Sequence, residues 1–246
     1  MSRYDFNAQR LFVEADLVDG GTVACTPAQT NYLRNVLRLE VGDSILAFNG
    51  RHGEWRAELT EAGRRGTALA VRIRTRPQEG GPDIDYLFAP LKRARLDYMV
   101  EKATEMGAAR LRPVLTRRTV AERVNIERMR AHTIEAAEQC GILRLPEIRA
   151  PEKLDRVIAG WDAARPIVFC DEDSVETCPF TALARIPPGP VAVLIGPEGG
   201  FDPAERELLS SQPFVTRIAL GPRILRADTA AVAALALVNA VLGDWR

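Results

Sequence analysis

The chain has 246 residues, of which 46% are hydrophobic and 27% charged, and its 33 basic and 33 acidic side chains give a formal net charge of zero. This balance is typical of a folded soluble protein, and no apolar run approaches the roughly 18 residues that a membrane-spanning helix requires. The length accommodates a small domain and a medium one. Residues Met1 to Arg10 are polar and charged, so we expect no signal peptide and a cytoplasmic protein.

The first 75 residues predict a small, mostly β unit. Thr26 followed by Pro27 predicts the start of a helix, with threonine as the N-cap and proline in the first turn. Asn49-Gly50 is typical of a tight turn between strands. Several short strands with one helix suggest a small barrel. The predicted strands are residues 10–13, 22–24, 44–48, 54–60 and 67–74.

Residues 76–82 are rich in proline and glycine and form the clearest break in the chain, so we predict domains at 1–75 and 83–246 with a linker between them. Beyond the linker, apolar segments alternate with helical ones, and Asp202-Pro203-Ala204-Glu205 is a capping box. Continuous apolar strands indicate burial on both faces, which predicts an α/β domain with a largely parallel sheet. The predicted strands are 84–90, 111–115, 167–170, 191–195 and 215–220, and the helices are 96–106, 125–140, 203–210 and 229–242.

Cysteine and histidine usage argues against metal chemistry. The cysteines show no C-x-x-C spacing, and neither His52 nor His132 lies in an H-E-x-x-H motif. This pattern favours separate thiols over a zinc site or a disulfide framework, and we expect no protein-bound metal. The four cysteines are Cys25, Cys140, Cys170 and Cys178.

A glycine-rich segment directly follows the apolar strand 191–195 and reads Gly196-Pro197-Glu198-Gly199-Gly200. In open α/β sheets, ligands bind beyond the carboxyl ends of the strands, and glycine lets the backbone approach a ligand closely. The segment lacks the G-x-G-x-x-G spacing and no Gly-Lys-Ser/Thr follows it, so it does not indicate a phosphate cradle. It predicts either a site for a ligand held by backbone groups or simply a tight strand-to-helix turn.

A second unusual segment precedes the last helix. Apolar Ile224 and Leu225 lie between Arg223 and Arg226, which suggests a pocket wall for a flat ring. The alternative is that these apolar residues plug the core and that Asp228 merely caps the helix. In either case we expect Asp228 or Thr229 to be the N-cap.

Taken together, these segments resemble the SPOUT superfamily of knotted methyltransferases, and specifically the small-subunit rRNA uracil-N3 methyltransferase (RsmE) family. One departure is that Ile142 follows Gly141 where the family usually has arginine, and the next arginine is Arg144. The matching stretches occur in the family's order: Tyr32-Leu33-x-x-Val36-Leu37-Arg38; Glu101 to Gly107 with Pro113 and Thr116-Arg117-Arg118; Ala137 to Gly141 with Leu145 to Ile148; Gly196 to Gly200; and Ile224 to Ala230.

The resemblance implies a PUA-like RNA-binding β-barrel at 1–75 and an α/β domain with a deep trefoil knot at 83–246, working as a homodimer. It implies S-adenosylmethionine as the cofactor and N3 of a specific uridine in 16S rRNA of the small ribosomal subunit as the methylated atom. The residues expected to hold the cofactor are Ile195, Gly196, Pro197, Gly199, Gly200, Leu220, Gly221, Ile224, Leu225, Arg226 and Thr229.

Charge distribution indicates where RNA binds. Between Lys92 and Arg130 the chain has eleven basic and five acidic residues, a surplus of six. For any single arginine here, a solvated helix face or an i,i+4 pair is an alternative. Arg10 and Arg38 of the first unit are further candidates, contacting RNA bound to the other protomer. The predicted phosphate contacts in the basic stretch are Lys92, Arg93, Arg95, Arg117, Arg118 and Arg123.

Two side chains are candidates for chemistry. Uracil N3 carries an imide proton that must leave as the methyl group arrives, and we expect Arg226 to stabilise the negative charge that develops on a uracil carbonyl. Glu198 either accepts the proton, directly or through water, or holds its loop by bonding backbone amides.

Three other functions share some of these sequence features. A SPOUT enzyme acting on another rRNA or tRNA nucleotide would share the same motifs. A nucleotide-dependent oxidoreductase would require the dinucleotide fingerprint, which is absent. A non-catalytic RNA-binding protein would leave both C-terminal loops unexplained.

Overall fold

The structure is a computed structural model that describes residues 8–61, 66–120, 123–174 and 178–245. Most of the stretch 1–10, from which we expected no signal peptide, lies outside the described residues. The chain divides into two compact units. Unit 1 comprises Met1–Gly80 and Ala137–Leu145, and unit 2 comprises Gly81–Ala136 and Pro146–Arg246.

Unit 1 is built on a five-stranded sheet with the order β1-β3-β4-β5-β2. β1 pairs with β3 in parallel, and the other pairs are antiparallel. Leu33, Leu59 and Leu69 are fully buried in its core, and the predicted mostly β unit is confirmed. The elements are β1 (Arg10–Phe12), β2 (Thr22–Ala24), α1 (Pro27–Asn31), β3 (Ser44–Phe48), β4 (Glu54–Glu61) and β5 (Ala68–Arg76).

Two local predictions in unit 1 need refinement. The helix after Thr26 has the expected cap, with a capping box between Thr26 and Gln29, but it continues after Asn31 as a π-helical turn over Tyr32–Val36. Asn49-Gly50 does not form a two-residue turn, because β3 ends at Phe48 and β4 begins only at Glu54. The Asn49 side-chain oxygen instead accepts hydrogen bonds from the backbone N–H groups of Arg51, at 3.0 Å, and His52, at 2.9 Å.

A buried carboxylate, Glu54, is the centre of a polar cluster in unit 1. It accepts hydrogen bonds from Arg10 Nε at 3.0 Å, from Arg76 Nη2 at 2.7 Å and from Thr75 Oγ1 at 2.8 Å. Burial raises the pKa of Glu54, but the hydrogen bonds from Arg76 and Thr75 and the nearby guanidinium charge outweigh it, so its pKa lies below the ordinary value. The charged form therefore stabilises the fold.

We expect Glu54→Gln to lower the free energy of unfolding by roughly 3 kcal/mol at neutral pH, because breaking a buried ion pair leaves uncompensated charge. Since the folded pKa is depressed, this contribution is present above the pKa of the unfolded chain and is lost as the pH falls through the folded pKa. Denaturant unfolding of wild type and variant between pH 7 and pH 3 should show the difference closing in acid. Glu58→Gln is the control on the same strand, since the Glu58–Arg72 pair is partly exposed and should contribute little. Equal losses in the two variants would contradict the prediction.

The second segment of unit 1, Ala137–Leu145, corrects the domain boundaries that the sequence predicted. Those boundaries assigned it to 83–246, yet Glu138 Oε1 accepts the Phe12 backbone N–H at 2.8 Å, and Arg76 Nη2 donates to the Gly141 carbonyl at 2.8 Å. β5 also extends to Arg76, the first residue of the predicted linker. Long-range hydrogen bonds of this kind leave no local signature in a sequence, which is why the pattern of elements missed them.

Unit 2 contains a seven-stranded sheet in which every pair is parallel, with the path β12-β10-β11-β6-β7-β8 and with β9 beside β7. The elements are β6 (Ile84–Phe88), α2 (Arg93–Glu105), β7 (Arg110–Leu115), α3 (Ile126–Cys140, whose end lies in unit 1), β8 (Glu147–Ile148), β9 (Glu152–Lys153), α4 (Leu154–Ala159), β10 (Ile167–Cys170), α5 (Pro179–Leu183), β11 (Val191–Ile195), α6 (Pro203–Ser210), β12 (Val215–Ile218) and α7 (Ala227–Val241).

The sheet of unit 2 is covered on both faces, as its apolar strands predicted. Along β11, Val191, Val193 and Ile195 belong to one hydrophobic cluster, whereas Ala192 and Leu194 belong to another. This alternation confirms the parallel α/β domain. The trefoil knot stays a prediction, because the order and register of the strands do not show whether one part of the chain passes through a loop formed by another.

The sequence missed some elements of unit 2, namely β8, β9, α4 and α5, each of six residues or fewer. The capping box of α6 is confirmed. The predicted cap of α7 is wrong: the helix begins at Ala227 with Arg226 as its N-cap, so Asp228 lies inside the first turn. No helix in the described part of the chain has the length and apolarity needed to cross a membrane.

Candidate functional site

The carboxyl ends of β10, β11 and β12 lie side by side in the sheet of unit 2, and the loops that follow them enclose a cavity of about 680 Å³. This is the size of a small-molecule site, at the edge where open α/β sheets bind ligands. The two segments singled out in the sequence therefore meet. Of the predicted cofactor-binding residues, those lining the cavity are Ile195, Gly196, Pro197, Gly199, Gly200, Leu220, Gly221, Ile224, Leu225 and Arg226.

The glycines of the β11 loop have separate reasons to be glycine. A Cβ on Gly196 would lie 2.4 Å from the Phe201 ring, which is buried and packs edge-on against Phe169 at 5.0 Å between centroids. Gly200 has a φ of +70°, the left-handed region that L side chains rarely adopt, and its N–H donates to the Pro197 carbonyl at 2.9 Å. The loop is thus a tight turn whose backbone faces the cavity.

The loop after β12 contributes apolar and cationic side chains to the cavity. Ile224 is 97% exposed, which is unusual for a large apolar side chain at the wall of a cavity and fits a surface that a ligand covers. Arg226 is fixed at its backbone, because its carbonyl accepts the Ala230 N–H at 2.8 Å. Its guanidinium has no hydrogen-bond or ion-pair partner among the described residues. Thr229 is exposed and lies outside the cavity lining, so the structure gives no support to its predicted cofactor contact.

Three cavity residues at the end of β10, Cys170, Asp171 and Glu172, were missed in the sequence. The Asp171 side chain is fully buried and accepts from Arg217 Nη2 at 2.6 Å. Burial raises the pKa of the Cys170 thiol far above its usual range, which favours its neutral form. These residues reach the cavity because β10 lies beside β11 in the sheet. That strand order cannot be read from one sequence, so no local pattern predicted them.

Arg95 is also in the cavity lining, although the sequence suggested a phosphate contact for it. Its Nη1 donates a hydrogen bond to Glu198 Oε1, and its Nε lies 3.9 Å from Asp228 Oδ2. The Glu198 carboxylate therefore pairs with a guanidinium, whereas the sequence suggested backbone amides as the partners that would hold the loop.

A groove of about 1450 Å³ lies beside the cavity and shares Arg95 and Glu198 with it. Its wall is mixed, with apolar side chains such as Leu91 and Val120 among the basic ones. Four of the predicted RNA contacts line it, and three of them are exposed. These residues are Lys92, Arg93, Arg95 and Arg123.

The other predicted RNA contacts lie elsewhere. Arg117 Nη1 pairs with Asp202 Oδ1 at 2.9 Å, and Arg118 Nη1 donates to the Gly199 carbonyl at 2.8 Å, so both brace the segment from the β11 loop to α6. In unit 1, Arg38 is exposed with a φ of +55°. Arg10 is 6% exposed and bound to Glu54, so the structure argues against it as an RNA contact. Arg144, the first arginine after the position where the family usually has one, donates to the Gly80 carbonyl at 3.3 Å.

One cluster with potential metal ligands, formed by Glu101, His132 and Glu135, occurs among the described residues. The imidazole already has carboxylate partners on both nitrogens, since Nδ1 lies 2.7 Å from Glu101 and Nε2 lies 3.3 Å from Asp97. These contacts tie α2 to α3 and account for the cluster without an ion.

Comparison with known proteins adds to this geometry. Residues 79–239 match the RNA methyltransferase domain family, and residues 26–69 match the RNA methyltransferase PUA domain family. A protein of Synechocystis named ribosomal RNA small subunit methyltransferase E is 32% identical over 240 residues, covering 96% of this chain and 78% of that protein. The chain belongs to the RNA methyltransferase family of these proteins. A Rickettsia conorii protein of the same name is 28% identical over 94% of both chains.

Two solved structures share this fold. A methyltransferase of Legionella pneumophila, solved with bound S-adenosylmethionine, has a TM-score of 0.84 and 27% identity, covering 97% of this chain and 99% of that one. A ribosomal RNA small subunit methyltransferase E of Neisseria gonorrhoeae, with a TM-score of 0.85 and 23% identity, covers 98% of this chain and all of that one. The resemblance in sequence and the predicted fold class, an N-terminal PUA-like unit and an α/β methyltransferase domain, are confirmed.

Proposed function

We propose that this protein transfers the methyl group of S-adenosylmethionine to N3 of a specific uridine in 16S rRNA of the small ribosomal subunit. The observation that carries the proposal is the meeting of two family motifs around one cavity that opens beside a basic groove. Membership of the RNA methyltransferase family supports the reaction class. The atom and the nucleotide come from the resemblance to uracil-N3 methyltransferases.

The cavity has the chemistry that S-adenosylmethionine requires. Backbone amides and carbonyls between Ile195 and Gly200 are suited to an adenine edge, and Ile224 and Leu225 offer apolar surface for its faces. No P-loop or dinucleotide pattern precedes a helix here, in keeping with a cofactor that has no phosphate. When bound, the cofactor supplies an electrophilic methyl group on sulfur.

Arg226 is the residue we assign to the chemistry. As N3 forms its bond to the methyl carbon and the carbon–sulfur bond breaks, the imide proton leaves and negative charge develops on the uracil carbonyls. A guanidinium whose backbone is held at the helix start, and which has no partner among the described residues, can stabilise that charge. Methyl transfer is an in-line displacement, so orientation of the base contributes much of the acceleration.

Glu198 has two candidate roles that an experiment separates. It lines both the cavity and the groove, where it can accept the N3 proton directly or through water, or it can serve only to hold its loop through Arg95. Glu198→Gln keeps the size of the side chain and removes the base. Full turnover with intact cofactor affinity would exclude Glu198 as the proton acceptor, whereas a large loss of kcat with intact affinity would support that role.

The basic groove is where we propose that the RNA strand lies, with the target base extruded from its stack toward the cavity. We expect RNA affinity to fall steeply with salt, and Lys92→Gln combined with Arg123→Gln to reduce the slope of log K against log salt by about 0.7 to 0.9 for each lost contact. Arg149→Gln is the control, because Arg149 is an exposed residue of unit 2 that pairs with Glu147 and lies outside the groove lining. Filter binding between 50 and 300 mM salt measures the slopes, and a flat dependence in the wild type would count against the groove.

The resemblance further implies a homodimer, in which Arg38 contacts RNA bound to the other protomer. Sedimentation of the full chain tests the dimer. If the dimer forms, mixing Arg38→Ala with Arg226→Ala chains should give more activity than the average of the two separate variants, because one RNA site of a mixed dimer then has both arginines intact while the other lacks both. No gain on mixing would contradict a contact from the other protomer.

The decisive experiment is incubation of the full chain with labelled S-adenosylmethionine and either unmodified small ribosomal subunits or naked 16S rRNA, followed by mapping of the modified base. Label on N3 of one uridine supports the proposal. Label on another atom or nucleotide would indicate an RNA methyltransferase with a different target. Binding of RNA without methyl transfer would indicate a non-catalytic RNA-binding protein.

A further inference from the structure

A single side chain, Arg95, links the loop after β11 to the start of α7. It lies in the first turn of α2, donates from Nη1 to Glu198 in the β11 loop, and approaches Asp228 in the first turn of α7 with its Nε at 3.9 Å. Three separate stretches of sequence thus converge on one guanidinium. Its planar donor face suits two carboxylates at different angles, which a lysine ammonium cannot reproduce.

The contact lies at the boundary between the cavity and the groove. Arg95 and Glu198 line both the cavity and the basic groove, so they form the described wall that the two spaces share. A base that enters the cavity from the groove passes this wall. Arg95 therefore orients the Glu198 carboxylate at the place where the proposed RNA base would meet the cofactor.

We propose that Arg95 is a positioning residue for methyl transfer, which holds the Glu198 carboxylate and the start of α7 in place, and that it is not a phosphate contact. The proposal rests on the function proposed above. It differs from the sequence prediction, in which Arg95 belonged with Lys92 and Arg93 as one basic stretch. Those two neighbours are exposed, whereas 36% of the Arg95 side chain is exposed and its donors face carboxylates.

The two roles of Arg95 predict different measurements. Loss of a phosphate contact lowers the salt slope of RNA binding by about 0.7 to 0.9 and leaves the chemical step alone. Loss of a positioning contact lowers kcat with RNA and cofactor both saturating, because a misplaced group near the reacting atoms can cost roughly 100-fold. The contact is partly exposed, so we expect little change in thermal unfolding.

The test compares Arg95→Gln with Arg93→Gln, its exposed neighbour in the same helical turn. We expect Arg95→Gln to lower kcat by about 10- to 100-fold with an unchanged salt slope, and Arg93→Gln to lower the salt slope. Arg95→Lys should restore part of kcat, since it keeps one contact and the charge. A reduced salt slope with unchanged kcat in Arg95→Gln would overturn the proposal, and so would unchanged values of both.

A double-mutant cycle identifies the partner. If Arg95 acts through Glu198, Arg95→Gln should cost much less in the Glu198→Gln background than alone, because the carboxylate it positions is already gone. Fully additive losses would contradict the proposal. Failure of the proposed function is separate: the wild type would then transfer no methyl group to 16S rRNA, whatever the variants do.

Discussion

Replacing Arg226 with alanine is expected to lower kcat by about 100- to 1000-fold, a much larger loss than the loss of affinity for S-adenosylmethionine that its place in the cavity lining implies. Removal of one preorganised donor aimed at a developing oxyanion typically has this cost. The Arg226 side chain has no described protein partner, and its backbone carbonyl keeps the hydrogen bond to the Ala230 N–H in the variant. The loss should therefore fall on the chemical step rather than on the fold.

Single-turnover methyl transfer and calorimetric titration with the cofactor check this expectation. Arg223→Ala is the matched control, because Arg223 lines the same cavity and also has no partner among the described residues. Arg223 lies in the loop between Gly221 and α7, whereas the Arg226 backbone is held at the start of the helix. We therefore expect a loss of less than about tenfold for Arg223→Ala, since preorganisation is what gives such a donor its effect. Equal losses in the two variants would indicate a general contribution of positive charge and would remove Arg226 from its specific role.

The second large effect is expected for Gly196→Ala. The new Cβ would lie 2.4 Å from Cε2 of Phe201, and that ring cannot easily move because it is buried against Phe169. The loop or the ring must shift, which we expect to cost about 1 to 3 kcal/mol of unfolding free energy, as overpacking does. Because the backbone of this loop faces the cavity, the affinity for S-adenosylmethionine should fall by at least about tenfold, or roughly 1.4 kcal/mol.

Gly199→Ala serves as the control for stability in this comparison. A Cβ at Gly199 would meet Cδ of Arg118 at 3.7 Å, an ordinary contact, and Gly199 is not among the positive-φ glycines. Denaturant unfolding should place Gly199→Ala close to the wild type and Gly196→Ala well below it. If Gly196→Ala matches the wild type in both stability and cofactor affinity, the tight turn is not what shapes the cavity.

Local sequence pattern was sufficient to locate the two loops of the cavity. The apolar strand Val191–Ile195 predicts a strand that is buried on both faces of the sheet. The glycine-rich segment that follows it is then predicted to lie at the ligand-binding edge of that sheet. The capping box at Asp202 is a local signal and is found where it was predicted. These features depend on a few neighbouring residues, so one sequence contains enough information to predict them.

Features that depend on long-range contacts were missed or misplaced. Asp171 and Glu172 enter the cavity because β10 lies between β11 and β12, an order that no local pattern encodes. Arg95 was grouped with its basic neighbours because a charge run does not show which member meets a carboxylate far along the chain. The first turn of α7 was placed two residues late, since Asp228 is a good N-cap by type but Arg226 has the extended backbone of a cap.

The return of Ala137–Leu145 to unit 1 has a consequence for the order of events during synthesis. The sheet of that unit is complete in sequence by Arg76, but the Phe12 amide and the Arg76 guanidinium meet Glu138 and Gly141 only after a long further stretch has been made. A nascent chain that ends before this segment must leave those donors to water, and the loop that eventually closes is costly in entropy. We therefore expect a fragment ending at Gly80 to be more open and more easily proteolysed than the same sheet in the full chain. The last step in the maturation of unit 1 is thus delayed until much of the methyltransferase domain has been synthesised.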